Sequence, residues 1–69
     1  MFNKFKNGQR VIVKGYGKKN GWFYSRRVGT VVCRDPYFLD YEVEFDDGTV
    51  DWFDEECITK IKKGRKKKC

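Results

Sequence analysis

Between Tyr16 and Arg27 the chain places Tyr16, Lys18, Lys19, Trp22, Phe23, Tyr24, Arg26 and Arg27 within twelve residues. Rings and cations this close in sequence suit one kind of chemistry. Aromatic faces stack on nucleic-acid bases, each stacked base contributing about 1–3 kcal/mol, while lysine and arginine follow the phosphates. The competing reading is structural: Trp22 and one neighbour pack a core, and the lysines are simply solvated. Strand alternation sends Trp22 and Tyr24 to one face and Phe23 to the other, so at least one of the three rings is directed to the surface.

The charge pattern adds both an attraction and a difficulty. Residues 62–69, KKGRKKKC, carry six basic residues and no acidic one. Residues 1–61 carry ten basic and ten acidic residues, so the body is formally neutral and the net charge of +6 belongs to the tail. Tail residues such as Lys66 and Lys67 would hold phosphate without regard to base sequence and release it as salt rises. Within the body the signs are segregated. All ten carboxylates fall between Asp35 and Glu56, a stretch without Lys or Arg, and nine of the ten body cations fall between Lys4 and Arg34. A dipolar surface is expected, with the acids on the side away from any bound phosphate.

Catalysis is not expected. The chain has no histidine, and its one serine, Ser25, has no motif around it. The carboxylates follow the wet side of strand alternation, where nothing raises their pKa toward acid–base use. Cys33, Cys57 and Cys69 form no C-x-x-C pair and complete no zinc set. Cys33 and Cys57 read as small core hydrophobes. Asp46-Asp47 and Asp54-Glu55-Glu56 lack the spacing of a calcium loop and read as turn and helix-start residues. No metal or cofactor is expected. No apolar run approaches the ~18 residues of a membrane span. MFNKFKNGQR has no apolar signal core, so an intracellular monomer without membrane contact is expected.

The elements that must position these residues are strands. Tyr41, Val43 and Phe45 alternate with Asp40, Glu42, Glu44 and Asp46, the period of a strand with one dry face. Asp47-Gly48 predicts a tight type I′ hairpin, and Thr49–Phe53 returns antiparallel. In Gln9–Lys14, Val11 and Val13 face the core, with Arg10, Ile12 and Lys14 opposite. Val28–Cys33 is rich in β-branched residues, and Gly29 within it marks a bend or the close approach of another strand. Gly15–Gly21 is a glycine-rich loop ending in an Asn20-Gly21 turn. Arg34–Tyr37 is a proline turn, and Phe38-Leu39 a flap over one end of the core. Phe2 and Phe5 are anchors for the leading segment, which Gly8 closes. One helical turn at Asp54–Cys57 precedes a last strand around Ile58–Ile61. From Lys62 the composition is too charged to pack, so residues 62–69 are expected to be a flexible, disordered tail. The result is a single all-β domain over residues 1–61. Five short strands in a flat sheet would leave a face and two edges bare, and closing or half-closing them into a barrel removes both faults.

The order of these motifs resembles the small SH3-like barrels. G-Q-R-V-x-V (Gly8 to Val13), a glycine-rich loop, an aromatic pair beside G-T-V-V (Trp22 to Val32), Y-x-V-E-F-D-D-G (Tyr41 to Gly48) and W-F-x-x-x-x-I-x-x-I (Trp52 to Ile61) are together most similar to the Tudor group. The resemblance covers residues 5–61. It implies a five-stranded barrel with a 3₁₀ turn before the last strand. It leaves the ligand open, since such barrels take RNA, DNA, ribosomes, methylated peptides and plain protein surfaces. For peptide recognition it implies an aromatic cage at the open end of the barrel. Tyr16, Trp22, Tyr24 and Trp52 are the rings for such a cage, and Asp47 or Asp51 the acid. The plainer alternative has Trp52 covering the core and those carboxylates on an ordinary wet face. The first expectation is therefore a non-enzymatic module for DNA or RNA, contacted by Lys18, Lys19, Trp22, Tyr24, Arg26 and Arg27, with Lys66 and Lys67 of the tail assisting. The alternative is a protein or peptide partner, met as a recognition module or a small inhibitor or accessory protein, through Tyr16, Trp22, Tyr24, Asp47, Asp51 and Trp52.

Overall fold

The computed structural model describes residues 4–61. Alternation sets its strands: β1 (Arg10–Tyr16), β2 (Phe23–Arg34), β3 (Asp40–Phe45), β4 (Val50–Asp54) and β5 (Ile58–Lys60), with a 3₁₀ turn at Glu55–Cys57. Val11, Val13, Tyr24, Val31, Tyr41, Val43, Phe45, Phe53 and Ile58 turn inward from these strands, and Phe5 joins them from the leading segment. Every pairing is antiparallel, in the order β4-β3-β2-β1-β5. Phe2 and the tail, with Lys66 and Lys67, lie outside the described residues.

The expected barrel closure does not occur. β4 and β5 are the two edges of the sheet and do not pair. β5 pairs through all three of its residues with β1, from Val13↔Ile58 to Val11↔Lys60. The 3₁₀ turn carries the chain off the end of β4 rather than back along it. Curling protects the core instead. β2 runs twelve residues and serves both β1 and β3. Its register slips twice, where Ser25 and Arg26 together face Lys14, and again at Val32. Such bulges bend and twist a strand. The curl is enough to bring β1 into contact with β4, although two strands lie between them in the sheet. The free edge of β4 is covered by the β1–β2 loop, where Lys18 N–H donates to Trp52 C=O (2.8 Å) and Asn20 Nδ2 to Val50 C=O (3.2 Å). Pairing removes a bare edge in a barrel; a loop does it here.

Gly29 allows β3 its close approach. A methyl group there would sit 2.6 Å from Val43 Cγ1 and 3.0 Å from Phe45 Cδ1. The Phe45 ring stacks on Tyr24 at 4.9 Å, and Phe53 meets Tyr24 edge-on at 5.1 Å. Phe5 seals the core from below, its ring edge-on to Tyr41 at 5.2 Å, while the Tyr41 hydroxyl accepts Lys4 N–H (3.0 Å).

Two local expectations need correction. The β3–β4 hairpin turns through three residues, Asp46-Asp47-Gly48, closed by Phe45 N–H to Thr49 C=O and Gly48 N–H to Phe45 C=O. Only Gly48 takes a positive φ, so it is not type I′. The Asp47 carboxylate accepts Thr49 N–H (2.9 Å), a bond that suits the three-residue turn. Second, Phe38-Leu39 is no flap. Tyr37, Phe38 and Leu39 point outward, 83%, 67% and 50% exposed. The Asp35 carboxylate and carbonyl hold this turn, accepting N–H bonds from Tyr37 and Leu39, with Leu39 at φ +64°. Cys57 packs against the core rim, whereas Cys33 is half-buried and donates to Glu42 Oε1 (3.3 Å) rather than packing in the core.

Gly29→Ala overpacks the β2–β3 contact, and such overpacking costs about 1–3 kcal/mol. Urea unfolding is expected to show a lower midpoint at unchanged slope; an unchanged midpoint would mean that β3 does not approach as described.

Candidate nucleic-acid interface

Tyr16, Lys18, Lys19, Trp22 and Tyr24 of the sequence candidates belong to the β1–β2 loop or its flanks, and that loop is fastened to β4 by Asp51. Asp51 is completely buried. Its carboxylate accepts the N–H groups of Lys19 (2.7 Å), Asn20 (3.3 Å) and Trp52 (2.7 Å) and the hydroxyl of Tyr24 (2.9 Å). Asn20 Nδ2 in turn donates to the Tyr24 hydroxyl (3.3 Å). A buried carboxylate is tolerated when donors of this kind replace its water. Gly17 makes the room, since a Cβ there would overlap the carboxylate. Burial pushes the Tyr24 phenol up, and its bond to Asp51 pushes the same way.

Tyr24 and Asp51, expected at the surface, are therefore interior groups. Tyr24 is unable to stack on a base, and the cage of Tyr16, Trp22, Tyr24 and Trp52 loses one ring and one acid. Trp52 is half-buried, facing Glu42 across the β3–β4 pair. The signal for Asp51 was present in the sequence: it lies two positions before Phe53, so alternation points both inward. Asp40 is the other carboxylate on a buried residue. The wet-face reading of the carboxylates fails for these two.

The segregated charges of the sequence meet in the fold. Lys18 Nζ sits between Asp40 Oδ1 (2.8 Å) and Asp54 Oδ1 (2.6 Å), and these bonds raise its pKa. Arg27 binds Asp47 (2.6 Å), its guanidinium 4.8 Å from the centre of the Phe45 ring. Arg10 grips both oxygens of Asp46 (2.9 and 3.3 Å). Lys18 and Arg27, expected on phosphate, are thus matched to carboxylates, and Asp47, expected on a cationic peptide, is matched to Arg27. The simple dipole is replaced by ion pairs across the ribbon, because β2 lies between β1 and the acidic β3. Thr49 N–H, then the Thr49 hydroxyl and Arg27, hold the Asp47 carboxyl down at about 2.

Lys14, Arg26 and Lys60 make no salt bridge among the described residues. They come from three strands and, with Ile12 and Thr59, line one open groove of about 440 Å³. The backbone explains the convergence. Ile12 pairs with Thr59, which places β5 alongside. The bulge sets Ser25 and Arg26 against Lys14, with Arg26 at φ +54°. Further along the same ribbon Tyr16 pairs with Phe23, their exposed rings in edge contact at 5.0 Å. Trp22 is exposed too, but its ring lies 6.4 Å from Tyr24, on the opposite side of the strand from Phe23, and the Lys19 side chain is also exposed. The structure thus keeps Arg26, Lys19 and Trp22 of the sequence candidates at the surface. Lys14 and Lys60 were missed. Alternation already puts Lys14 on the wet side of β1, but only the strand order brings Lys60 to it. Among the described residues no cluster of Cys, Asp and Glu is placed to hold a metal ion.

Asp51→Ala leaves three backbone N–H groups without their acceptor, and each buried donor so orphaned costs about 1–3 kcal/mol. Chemical denaturation is expected to show a loss of at least about 2 kcal/mol, against about 1 kcal/mol for Tyr24→Phe; equal and small losses would remove Asp51 as the fastening. The depressed pKa of Asp47 fixes a sign as well. Its contribution to stability is complete above the ordinary carboxylate range, near ~4, and disappears as pH falls toward about 2. Melting temperature is expected to fall across that window, and the fall is expected to be smaller in Asp47→Asn.

Comparison with protein-family models, with curated proteins and with solved structures found no match.

Proposed function

We propose that the chain is a non-enzymatic nucleic-acid-binding module. One observation carries this reading: Lys14, Arg26 and Lys60, from three strands, line one groove, and none of them forms a salt bridge among the described residues. A groove lined by three cations suits an anionic ligand. The neighbouring Tyr16–Phe23 pair supplies aromatic surface, as nucleic-acid grooves do. The basic residues 62–69 follow the groove residue Lys60 closely in sequence and act as an electrostatic anchor. The 3₁₀ turn at Glu55–Cys57 and the acidic hairpin before β4 support placing the domain near the SH3-like barrels of Tudor type, as an open variant.

A second reading, a protein partner, is favoured by the outward turn Tyr37-Phe38-Leu39 rather than by an aromatic cage. Three consecutive apolar side chains held out by Asp35 are an unusual surface for an uncomplexed domain.

Fluorescence anisotropy with labelled oligonucleotides separates the two. Residues 1–61 are expected to bind with a salt-dependent affinity, and the full chain more tightly and with a steeper salt slope. Lys14→Ala/Arg26→Ala is expected to flatten the slope by up to about 2, since each phosphate left without its cation lowers it by about 0.7–0.9. Binding that vanishes with residues 62–69, or that ignores the double substitution, would reject the groove.

A further inference from the structure

We infer that the ligand of this face is a single-stranded nucleic acid, its backbone crossing the Lys14–Arg26–Lys60 groove and a base resting on the Tyr16–Phe23 pair; the inference rests on the nucleic-acid reading above. The ring pair and the cation pair are adjacent steps on one ribbon. Tyr16 lies two residues beyond Lys14 on β1, about 7 Å at ~3.3 Å per residue, and Phe23 opposes it on β2. A base and its own phosphate are able to span that step together.

The aromatic pair is informative because its rings are free. Tyr16 and Phe23 are 67% and 55% exposed and touch each other only edge-on, 63° between planes. They add little to the core, which Tyr24 fills from the other side of β2. An exposed ring face is complementary to an unstacked base. In a duplex the base faces are covered by their neighbours, and readout there requires a helix or a projecting ribbon in the major groove. Among the described residues there is no α-helix, and the groove is a shallow hollow in the sheet surface.

Charge limits the width of the ligand. Arg10, two residues before Ile12 on β1, is already bound to Asp46, with Asp47 next to it in the hairpin. A ligand as broad as a duplex along this ribbon would set phosphates against that acidic hairpin. A single strand confined to the Lys14–Lys60 side avoids it. Stacking on a ring pair accepts any base, so little base preference is expected beyond differences in stacking strength.

The test titrates the full-length chain with a short labelled single strand and with the same strand annealed to its complement, at one salt concentration. The single strand is expected to bind more tightly. Tyr16→Ala/Phe23→Ala is expected to weaken it about tenfold, in the range for unstacking one base, and to leave duplex affinity unchanged. Tyr16→Leu/Phe23→Leu, which keeps apolar cover but removes the π-faces, is expected to do the same. Equal affinity for the duplex, with both variants indifferent, overturns the single-strand inference and leaves the nucleic-acid reading standing. Failure of both oligonucleotides to bind the unaltered chain overturns the reading itself.

Discussion

A single buried carboxylate organises this domain. Asp51 stands in β4 where an apolar residue would otherwise face the core, and it gathers N–H groups from the β1–β2 loop and the hydroxyl of Tyr24. Hydrogen bonds to a charged acceptor are stronger than those between neutral groups, and here they take the place that strand pairing has in a closed barrel. The loop lies over the free edge of β4, Lys18 and Asn20 take up its carbonyls, and Lys18 reaches on to Asp40 and Asp54. With the loop so fixed, Tyr16 and Phe23 pair where β1 ends and β2 begins, and Trp22 is exposed at the end of the loop. The candidate site therefore depends on a group that no ligand touches.

The fold was largely legible where a strand has one dry face. Tyr41, Val43 and Phe45 declare β3, and Val11 and Val13 declare β1, because a period of two has one geometric solution. Gly29 as a point of close approach was legible for the same reason: a side chain missing from a β-branched run leaves room for something else. Closure was not legible. Whether five short strands pair at both edges depends on where a three-residue strand docks and on what a loop covers, and periodicity carries neither. The hairpin illustrates the limit at small scale. Asp47-Gly48 marks the turn correctly, but Gly48 alone takes the positive φ.

The site was legible by composition and not by role. Exposed rings and cations in residues 16–27 were expected, and several are there, but the members changed places. Segregation of charge along the sequence suggested a dipole. Folding pairs β2 with both β1 and β3, so Arg27 meets Asp47 and Arg10 meets Asp46, while Lys14, Arg26 and Lys60 form no salt bridge among the described residues. Lys14 and Lys60, forty-six positions apart, come to line one groove only through the β1–β5 pairing.

The central claim is that this leftover charge, with the ring pair beside it, is the contact surface. Backbone amide spectra of the isotope-labelled full chain, recorded during titration with a short single-stranded oligonucleotide, test it most directly. The largest shifts are expected at Lys14, Tyr16, Phe23, Arg26, Thr59 and Lys60, with the Asp46–Gly48 hairpin still. Shifts confined to the Tyr37–Leu39 turn, or to residues 62–69 alone, would contradict it.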